Sequence, residues 1–389
     1  MINNNEKTNS YATIIAENSI EICVAKTPAE KREIYRFRYQ IYVEEMSKNL
    51  AEADHNNKLL YDELDEWAIL LYAKIGSEII ATYRINIGTM TDFPQEVIKF
   101  LALDTLSNYV IEHGSPKFAY ATKVMVTPAH RSSPALYLLM AKCYEICCYK
   151  QARFLLGACN FHLLRLYEQL GFRRYYKNFL YPGYGLLVPL VLLIDDVEHL
   201  RKLRSPLFRI ARKRQSVNTS VVEWFNAVFT SNSSVINSQL TTEEELWSIL
   251  CKRLHGLPTA GITLLQDLSE TEAKKLLHSC GILVQCAPDD IITFQGDVSY
   301  TYNILISGRL KSLTFRRPSK EYSTPGQHFG ANGLTEQNTH TQDIAATSYT
   351  EILALSGIAF QKFYRSHPEI AHKVVKSIIN TRKELARIK

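Results

Sequence analysis

The first half of the chain alternates apolar and polar positions in a way that predicts a mixed α/β unit. A capping box formed by Thr27 and Glu30 predicts a helix that runs to about Met46. Two alternating segments, 67–74 and 79–87, flank a turn-like Gly-Ser pair. This spacing predicts an antiparallel β-hairpin after the first helix.

The following residues continue the same kind of pattern. They predict a strand at 118–126, a helix at 134–151, a strand at 153–159, a helix at 161–170 that Gly171 ends, and strand-rich chain at 172–194. Together these elements predict a mixed sheet with flanking helices, which belongs to the α/β (α+β) class.

The pattern changes in the second half of the chain. Short helices precede strands that are interrupted by glycine-containing turns, and a last helix begins at Pro368. Such a series predicts a small β-barrel or jelly roll flanked by helices.

Length and composition fit two folded parts. A chain of 389 residues and 44.5 kDa is too long for one small core, and 46% apolar with 22% charged residues is typical of globular proteins. The longest apolar run, 184–194, is broken by Pro189 and is shorter than the roughly 20 residues of a membrane-spanning helix. Since no secretory signal is visible either, we expect a cytoplasmic protein.

We therefore divide the chain into four parts: a disordered tail (1–20), an α/β domain (21–198), a basic helical segment with a linker (199–253) and a β-rich domain (254–389). The eight cysteines include no CxxC pair, and three of them lie on the helix predicted at 134–151. We interpret them as reduced core residues and predict no metal site.

One short motif points to a chemistry. The order of elements, ending in Tyr167-Glu168-Gln169-Leu170-Gly171-Phe172, resembles that of GNAT acyltransferases, and Asn160 stands where that family commonly has Asn. The motif is short, so an ordinary amphipathic helix with a glycine stop is the alternative interpretation.

Three upstream blocks narrow the resemblance. The segments 38–45 (RYQIYVEE), 62–65 (DELD) and 81–85 (ATYRI) are similar to those of acyl-homoserine-lactone synthases and long-chain N-acyl amino acid synthases. The resemblance implies an N-acyltransferase that moves a long-chain acyl group from acyl carrier protein to the amino group of an amino acid or small amine.

The charged residues in these blocks suit such a site. Arg38 and Tyr42 are four residues apart and would share one helix face, as substrate-binding residues. Asp62 and Asp65 could hold Arg84 and orient an amine. A surface ion-pair network that only ties the first helix to the sheet is the structural alternative.

The predicted donor loop departs from ordinary GNAT enzymes. Residues 126–135 lack the glycines that cradle the pyrophosphate of coenzyme A in that family. We expect Arg131, Ser132 and Ser133 to bind a phosphopantetheine thioester, with acyl-coenzyme A as a less suitable donor and no tightly bound cofactor. Lys123 stands where the synthases usually have Arg, and we assign it to substrate binding.

The implied reaction is direct transfer. An amine attacks the thioester carbonyl, backbone N–H groups of the strand 118–126 stabilise the oxyanion, and Tyr167 protonates the departing thiolate. Asp62 or Asp65 removes the amine proton, and Asn160 contributes to substrate binding. Two other functions remain open: a nucleotide-gated, acetyl-coenzyme A-dependent N-acetyltransferase of a protein lysine or small amine, and a non-catalytic sensor or scaffold.

Positive charge is concentrated in one segment of a chain whose formal net charge is +6. The basic residues there are Arg201, Lys202, Arg204, Arg209, Arg212, Lys213 and Arg214. They could steer the acidic acyl carrier protein, with a solvated helix face or a membrane-surface contact as alternatives. Interleaved aromatic residues are lacking, so we do not expect nucleic-acid binding.

Residues 291–310 resemble the start of a cyclic-nucleotide-binding domain, and the resemblance extends over 256–389. The nucleotide-like pocket would contain Gly330 and His340. Ala331 replaces the family's ribose-binding Glu, and His340 replaces its phosphate-binding Arg. We therefore expect a structural, dimerising or altered-ligand module, without the DNA-binding helices of related transcription regulators.

Overall fold

The computed structural model describes residues 19–113, 117–131, 133–230, 235–313, 319–336 and 338–387. Both predicted classes are confirmed: a mixed α/β part is followed by an antiparallel β part with helices. Residues 1–18, which form most of the predicted tail, lie outside the described residues.

The strands are β1 (Glu21–Val24), β2 (Ala53–Asp54), β3 (Leu59–Leu60), β4 (Ile69–Ile75), β5 (Glu78–Gly88), β6 (Lys117–Val126), β7 (Ala152–Cys159), β8 (Arg173–Arg174), β9 (Phe179–Tyr181), β10 (Gly185–Leu193), β11 (Gly281–Cys286), β12 (Ile291–Thr293), β13 (Thr301–Ser307), β14 (Leu310–Leu313), β15 (Glu321–Tyr322), β16 (His328–Phe329), β17 (Asp343–Ala346) and β18 (Thr350–Ser356).

The α-helices are α1 (Pro28–Tyr39), α2 (Gln95–Phe100), α3 (Leu103–His113), α4 (Ala135–Tyr149), α5 (Leu164–Leu170), α6 (Val197–Lys202), α7 (Phe208–Ala211), α8 (Ser220–Phe225), α9 (Glu243–Leu254), α10 (Pro258–Gly261), α11 (Glu270–Cys280), α12 (Gly357–Ser366) and α13 (Pro368–Arg387).

The chain forms two compact units. The first contains Met1–Gly157 and Val191–Ala227, and the second contains Ala158–Leu190 and Val228–Lys389. The segment 158–190, which carries helix α5, thus packs with the C-terminal half of the chain.

The first unit is built on five strands in the order β1-β4-β5-β6-β7. The first four pair antiparallel, and β6 and β7 run parallel. The predicted hairpin is β4 and β5, whose buried apolar residues make the centre of the sheet. Helix α4 packs against both strands of this hairpin.

Helix α1 starts as predicted. Thr27 accepts the Glu30 N–H, and the Glu30 carboxylate accepts the Thr27 N–H at 2.9 Å. The α-helix ends earlier than predicted, because the last turn is a π-helix at Gln40–Glu45. π-Helical turns are frequent at functional sites.

The second unit contains two four-stranded antiparallel sheets, in the orders β11-β18-β13-β16 and β12-β17-β14-β15. Helices α9, α11, α12 and α13 cover the first sheet and share one apolar core with it, to which Leu246, Trp247 and Leu250 of α9 contribute. In the segment 158–190, β9 pairs antiparallel with the start of β10.

Two general observations complete the fold. In the ranges that the structure describes, no helix is both long and apolar enough to cross a membrane. All eight cysteines are free, and five of them are buried.

Candidate active site

Two carboxylates lie in a short turn before β4. Asp62 caps the 3₁₀ helix Glu63–Asp65 and accepts the Leu64 N–H at 3.0 Å, while the Asp65 carboxylate accepts the Asp62 N–H at 3.0 Å. Asp is a favourable capping residue, so this local sequence folds into a turn that fixes both carboxylates.

Two arginines meet these carboxylates. Arg38 Nη1 of helix α1 lies 2.8 Å from Asp65 Oδ1. Arg84 Nη1 of β5 lies 3.0 Å from Asp65 Oδ2 and also bonds Asp62. The Arg84 Nε donates to the Thr122 hydroxyl at 2.9 Å. Charge-assisted hydrogen bonds thus join a helix, a turn and two strands.

Lys123 adds a third cation at a β-bulge. Its backbone has φ of +52°, and the β5–β6 register shifts at this point. Its ammonium lies 3.0 Å from Glu52 Oε1, 3.7 Å from Asp62 Oδ2 and 5.8 Å from the centroid of the Tyr42 ring. A bulge disrupts the ladder and re-aims nearby groups, and such bulges are common beside active sites.

Three cations and three carboxylates therefore form one charge-balanced group, which we call the ion-pair cluster (Arg38, Arg84, Lys123, Glu52, Asp62 and Asp65). Its two arginines and Asp65 have side chains at most 2% exposed. Asp62 is 23% exposed and Glu52 is 25% exposed, so these two carboxylates are the ones that solvent reaches.

Burial and neighbouring charge set the protonation states. Burial opposes ionisation of Asp62, but the cations beside it and the N–H it caps outweigh burial and hold its pKa below the ordinary value. Burial lowers the pKa of Lys123, with Arg84 adding to the effect and the two carboxylates opposing it. Burial raises the pKa of Tyr42 to about 12, so this phenol is neutral at physiological pH.

Arg38 is enclosed by protein. The residue is fully buried, and its guanidinium carbon lies 5.5 Å from the centroid of the Tyr35 ring, which in turn stacks on Tyr61 at 5.2 Å. Within the described ranges, its Nε and Nη2 have no hydrogen-bond partner. Solvent does not reach this side chain, and its ion-pair partner is Asp65.

The donor loop differs in detail from the prediction. Arg131 forms an ion pair with Glu45 and donates from Nε to the Val126 carbonyl at 3.3 Å. Helix α4 begins one residue later than predicted, at Ala135, whose N–H donates to the Ser133 hydroxyl at 3.3 Å. Ser132, the third predicted donor-binding residue, lies outside the described residues.

Tyr167 and Asn160 belong to the second unit. Tyr167 on α5 is 7% exposed and packs edge-to-face against Phe172 at 5.3 Å. The Asn160 amide donates to the carbonyls of Tyr184 and Leu186 at 3.0 and 3.3 Å, which gives this side chain a role in fixing the start of β10.

The sequence did not predict two residues that bond the cations of the ion-pair cluster, Glu52 and Thr122. Glu52 lies in an irregular stretch with no motif, and only the fold brings it to Lys123. Thr122 stands directly opposite Arg84 across the β5–β6 ladder. That pairing depends on the strand register, which a bulge shifts nearby, so the sequence pattern carries no signal for it.

The two residues of the predicted nucleotide-like pocket, Gly330 and His340, lie side by side. The His340 ring lies 3.2 Å from where a Cβ on Gly330 would be, and its Nδ1 accepts the Ala331 N–H at 3.0 Å. Burial lowers the pKa of His340, although Asp297 opposes the shift. The ring therefore bonds a backbone N–H as a neutral acceptor, and the protonated form that could attract phosphate is disfavoured.

No group of three or more His, Cys, Asp or Glu side chains could hold a metal ion among the residues that the structure describes. The ion-pair cluster itself places each carboxylate against a cation, which suits positioning of charged groups and proton transfer.

Comparison with known proteins gives two family matches. Residues 33–194 match the family described as N-acyl amino acid synthase FeeM, and residues 283–367 match the cyclic nucleotide-binding domain. A comparison with the curated proteins found no match.

Solved structures similar to the chain come from both groups. FeeM, an N-acyl amino acid synthase from uncultured soil microbes, is 14% identical with a TM-score of 0.37, and the match covers 49% of this chain and 98% of that one. The N-terminal domain of a transcriptional regulator from Streptomyces coelicolor A3(2) is 18% identical with a TM-score of 0.29, covering 32% and 90%. A cyclic nucleotide-binding domain from Methylobacillus flagellatus KT is 15% identical with a TM-score of 0.31, covering 38% and 82%.

The two family matches fall on the two parts of the chain whose sequences predicted them. The chain is an N-acyltransferase, with residues 33–194 matching an N-acyl amino acid synthase family and residues 283–367 matching the cyclic nucleotide-binding domain.

Proposed function

We propose that this N-acyltransferase moves a long-chain acyl group from acyl carrier protein to the amino group of an amino acid or small amine. The observation that carries the proposal is the ion-pair cluster, in which buried arginines fix two carboxylates and leave Asp62 accessible to solvent. Burying charged side chains costs folding free energy. Buried arginines next to the partly exposed carboxylate of Asp62 therefore fit a reaction site.

In the proposed reaction, the amine nitrogen attacks the thioester carbonyl carbon, the C–N bond forms and the C–S bond breaks. The amine proton passes to Asp62, and the thiolate takes a proton from Tyr167. A carboxylate with a lowered pKa is a weak base. It suits a step in which it accepts a hydrogen bond from the neutral amine and receives the proton after attack has made that nitrogen acidic.

Asp65 has a different proposed role from Asp62. Asp65 is 2% exposed and is bonded to two arginines and a backbone N–H, so it is a positioning residue rather than the base.

The β-bulge at Lys123 supports the proposal that backbone N–H groups of β6 stabilise the oxyanion, because a bulge leaves part of the ladder disrupted.

The carrier-protein donor is supported by the glycine-free loop before α4 and by a basic surface. Six cationic side chains of that surface are exposed: Arg201, Lys202, Arg204, Arg209, Arg212 and Lys213. Exposed like charges attract an acidic partner at long range and raise the association rate. We place this reaction in the cytoplasm, where such a donor is made.

The test uses the full chain with one amine mixture and three donors: acyl carrier thioester, acyl-coenzyme A and acyl-pantetheine. We expect N-acyl products by mass spectrometry, and the highest kcat/KM with the carrier. A variant with Arg209→Glu and Arg212→Glu raises KM for the carrier thioester only, whereas Lys362→Glu in the second unit serves as the control. Equal kcat/KM for carrier and coenzyme A would contradict the donor assignment, and absence of products with every donor would contradict the reaction.

A further inference from the structure

Helix α5 carries Tyr167, the proposed acid, and belongs to the second unit. The family match at 33–194 includes the segment 158–190, yet that segment packs with the C-terminal half of the chain. The C-terminal half thus supplies surroundings for part of the synthase region.

Glu168 follows Tyr167 and is held from two sides. Its side chain is 1% exposed, and Oε1 accepts from Arg174 Nε at 2.9 Å and from Arg174 Nη2 at 2.8 Å. Its Oε2 accepts the Ser238 N–H at 2.9 Å and the Ser238 hydroxyl at 2.5 Å. The carboxylate next to Tyr167 is therefore saturated with hydrogen bonds.

Arg174 extends this contact to the C-terminal half. Its guanidinium donates to the Leu283 carbonyl of β11 at 2.6 Å and also to the Ile236 carbonyl. Arg174 thus makes four contacts, two to the carboxylate and one to each carbonyl, which its five N–H donors allow and the three N–H donors of a lysine do not.

The local backbone brings Arg174 into this place. Helix α5 ends at Gly171, whose φ of +117° reverses the chain. The Phe172 N–H donates to the Tyr167 carbonyl at 3.0 Å. The reversal returns the chain past the end of the helix, and Arg174 then lies beside Glu168.

Other bonds fasten the same segment. Arg165 of α5 donates to the Gly281 carbonyl at 3.1 Å, and the Ser356 hydroxyl donates to the His162 carbonyl at 2.9 Å. The Asn178 amide donates to the Gln285 carbonyl at 2.8 Å. Of these partners on the C-terminal side, Gly281 and Gln285 lie on β11, and Ser356 is the last residue of β18.

We infer that Arg174 is a positioning residue for acyl transfer, which fixes the helix of Tyr167 through Glu168 by anchoring it to the cyclic nucleotide-binding domain. That domain thereby acts as part of the transferase scaffold. This inference rests on the proposed role of Tyr167 in the reaction.

The test compares leaving groups in the full chain. A pantetheine thiolate needs a proton to depart, whereas an aryl thiolate of low pKa does not. If Tyr167 supplies that proton, Tyr167→Phe lowers kcat with acyl-pantetheine by at least about 10²-fold and with an aryl thioester only slightly. Arg174→Gln shows the same selective loss of kcat, with KM for the amine unchanged.

Three further variants separate positioning from loss of fold. Arg174→Lys keeps the charge but loses the fork, and it is expected to be intermediate. The double variant Arg174→Gln with Glu168→Gln avoids an unpaired buried charge and keeps the fold, yet loses kcat selectively. Arg365→Gln, an exposed arginine of the same unit, leaves kcat unchanged.

The possible negative results distinguish the role of Arg174, the role of Tyr167 and the proposed function. Equal losses of kcat with both thioesters in the folded double variant, or no loss at all, would overturn the inference about Arg174. An unaffected Tyr167→Phe enzyme would refute the role of Tyr167, and a wild-type chain without any N-acyl product would refute the proposed function itself.

Discussion

A double-mutant cycle at Arg38 and Asp65 measures the coupling free energy between two members of the ion-pair cluster. The two side chains are 0% and 2% exposed, and Arg38 Nη1 lies 2.8 Å from Asp65 Oδ1. We consider Asp65→Asn, Arg38→Met and the variant with both changes. Asn and Met fill similar space without the charge.

The magnitudes follow from the geometry. At 2.8 Å, two unit charges attract by about 6 kcal/mol with an effective dielectric constant near 20, and desolvation offsets part of this. Asp65→Asn leaves both Arg38 and Arg84 short of an acceptor and lowers the free energy of unfolding by about 3–5 kcal/mol. Arg38→Met costs less, since Asp65 keeps Arg84 and the Asp62 N–H. The coupling free energy is about 1–3 kcal/mol.

The assay is denaturant unfolding in a chain whose fluorescence reports on the first unit. Two of the three tryptophans, Trp67 and Trp224, lie in that unit, so the Trp247→Phe background isolates its signal. A separate probe for each unit is needed because a chain with two compact units need not unfold in one step.

Two results would refute this reasoning. A coupling free energy below about 0.5 kcal/mol would show that the two residues act independently. A larger loss for Arg38→Met than for Asp65→Asn would show that Asp65 is not shared between the two arginines.

Two other predictions concern the C-terminal half. Burial lowers the pKa of His328 from 6.5 to about 4. The unfolded chain therefore binds a proton that the folded chain excludes, and the free energy of unfolding falls by roughly 3 kcal/mol as pH drops from about 6.5 to about 4. His328→Phe, which keeps the stack on Tyr302, should flatten this slope in unfolding titrations, and an unchanged slope would exclude His328 as its source. Calorimetric titration with cyclic AMP should show no saturable heat, because His340 replaces the phosphate-binding Arg and its Nδ1 already accepts the Ala331 N–H; a saturable signal would contradict that interpretation.

Local signals made several elements predictable. The capping box at Thr27 and Glu30 fixes the start of α1, and Gly171 ends α5, because both depend on residues only a few positions apart. The apolar alternation of β4 and β5 likewise has one physical solution, a hairpin with one face in the core.

Features that depend on the assembled fold were not predictable. The π-helical turn at Gln40–Glu45 and the positive φ of Lys123 are not marked by any residue preference in the sequence. Glu52 reaches Lys123, and Arg174 reaches Leu283, only through tertiary structure. The sequence does not distinguish Asp62 from Asp65, whereas the structure leaves the Asp62 carboxylate 23% exposed and the Asp65 carboxylate 2% exposed.

In the proposed reaction, an amine receives an acyl chain beside Asp62. The most direct measurement is the lipid profile, by mass spectrometry, of cells that produce the chain and of cells that produce equal amounts of folded Asp62→Asn protein. The account predicts new N-acylated amino acids or amines in the first, reduced by about 10²–10⁴-fold in the second. Identical profiles in the two cell lines, with or without N-acyl products, would contradict it.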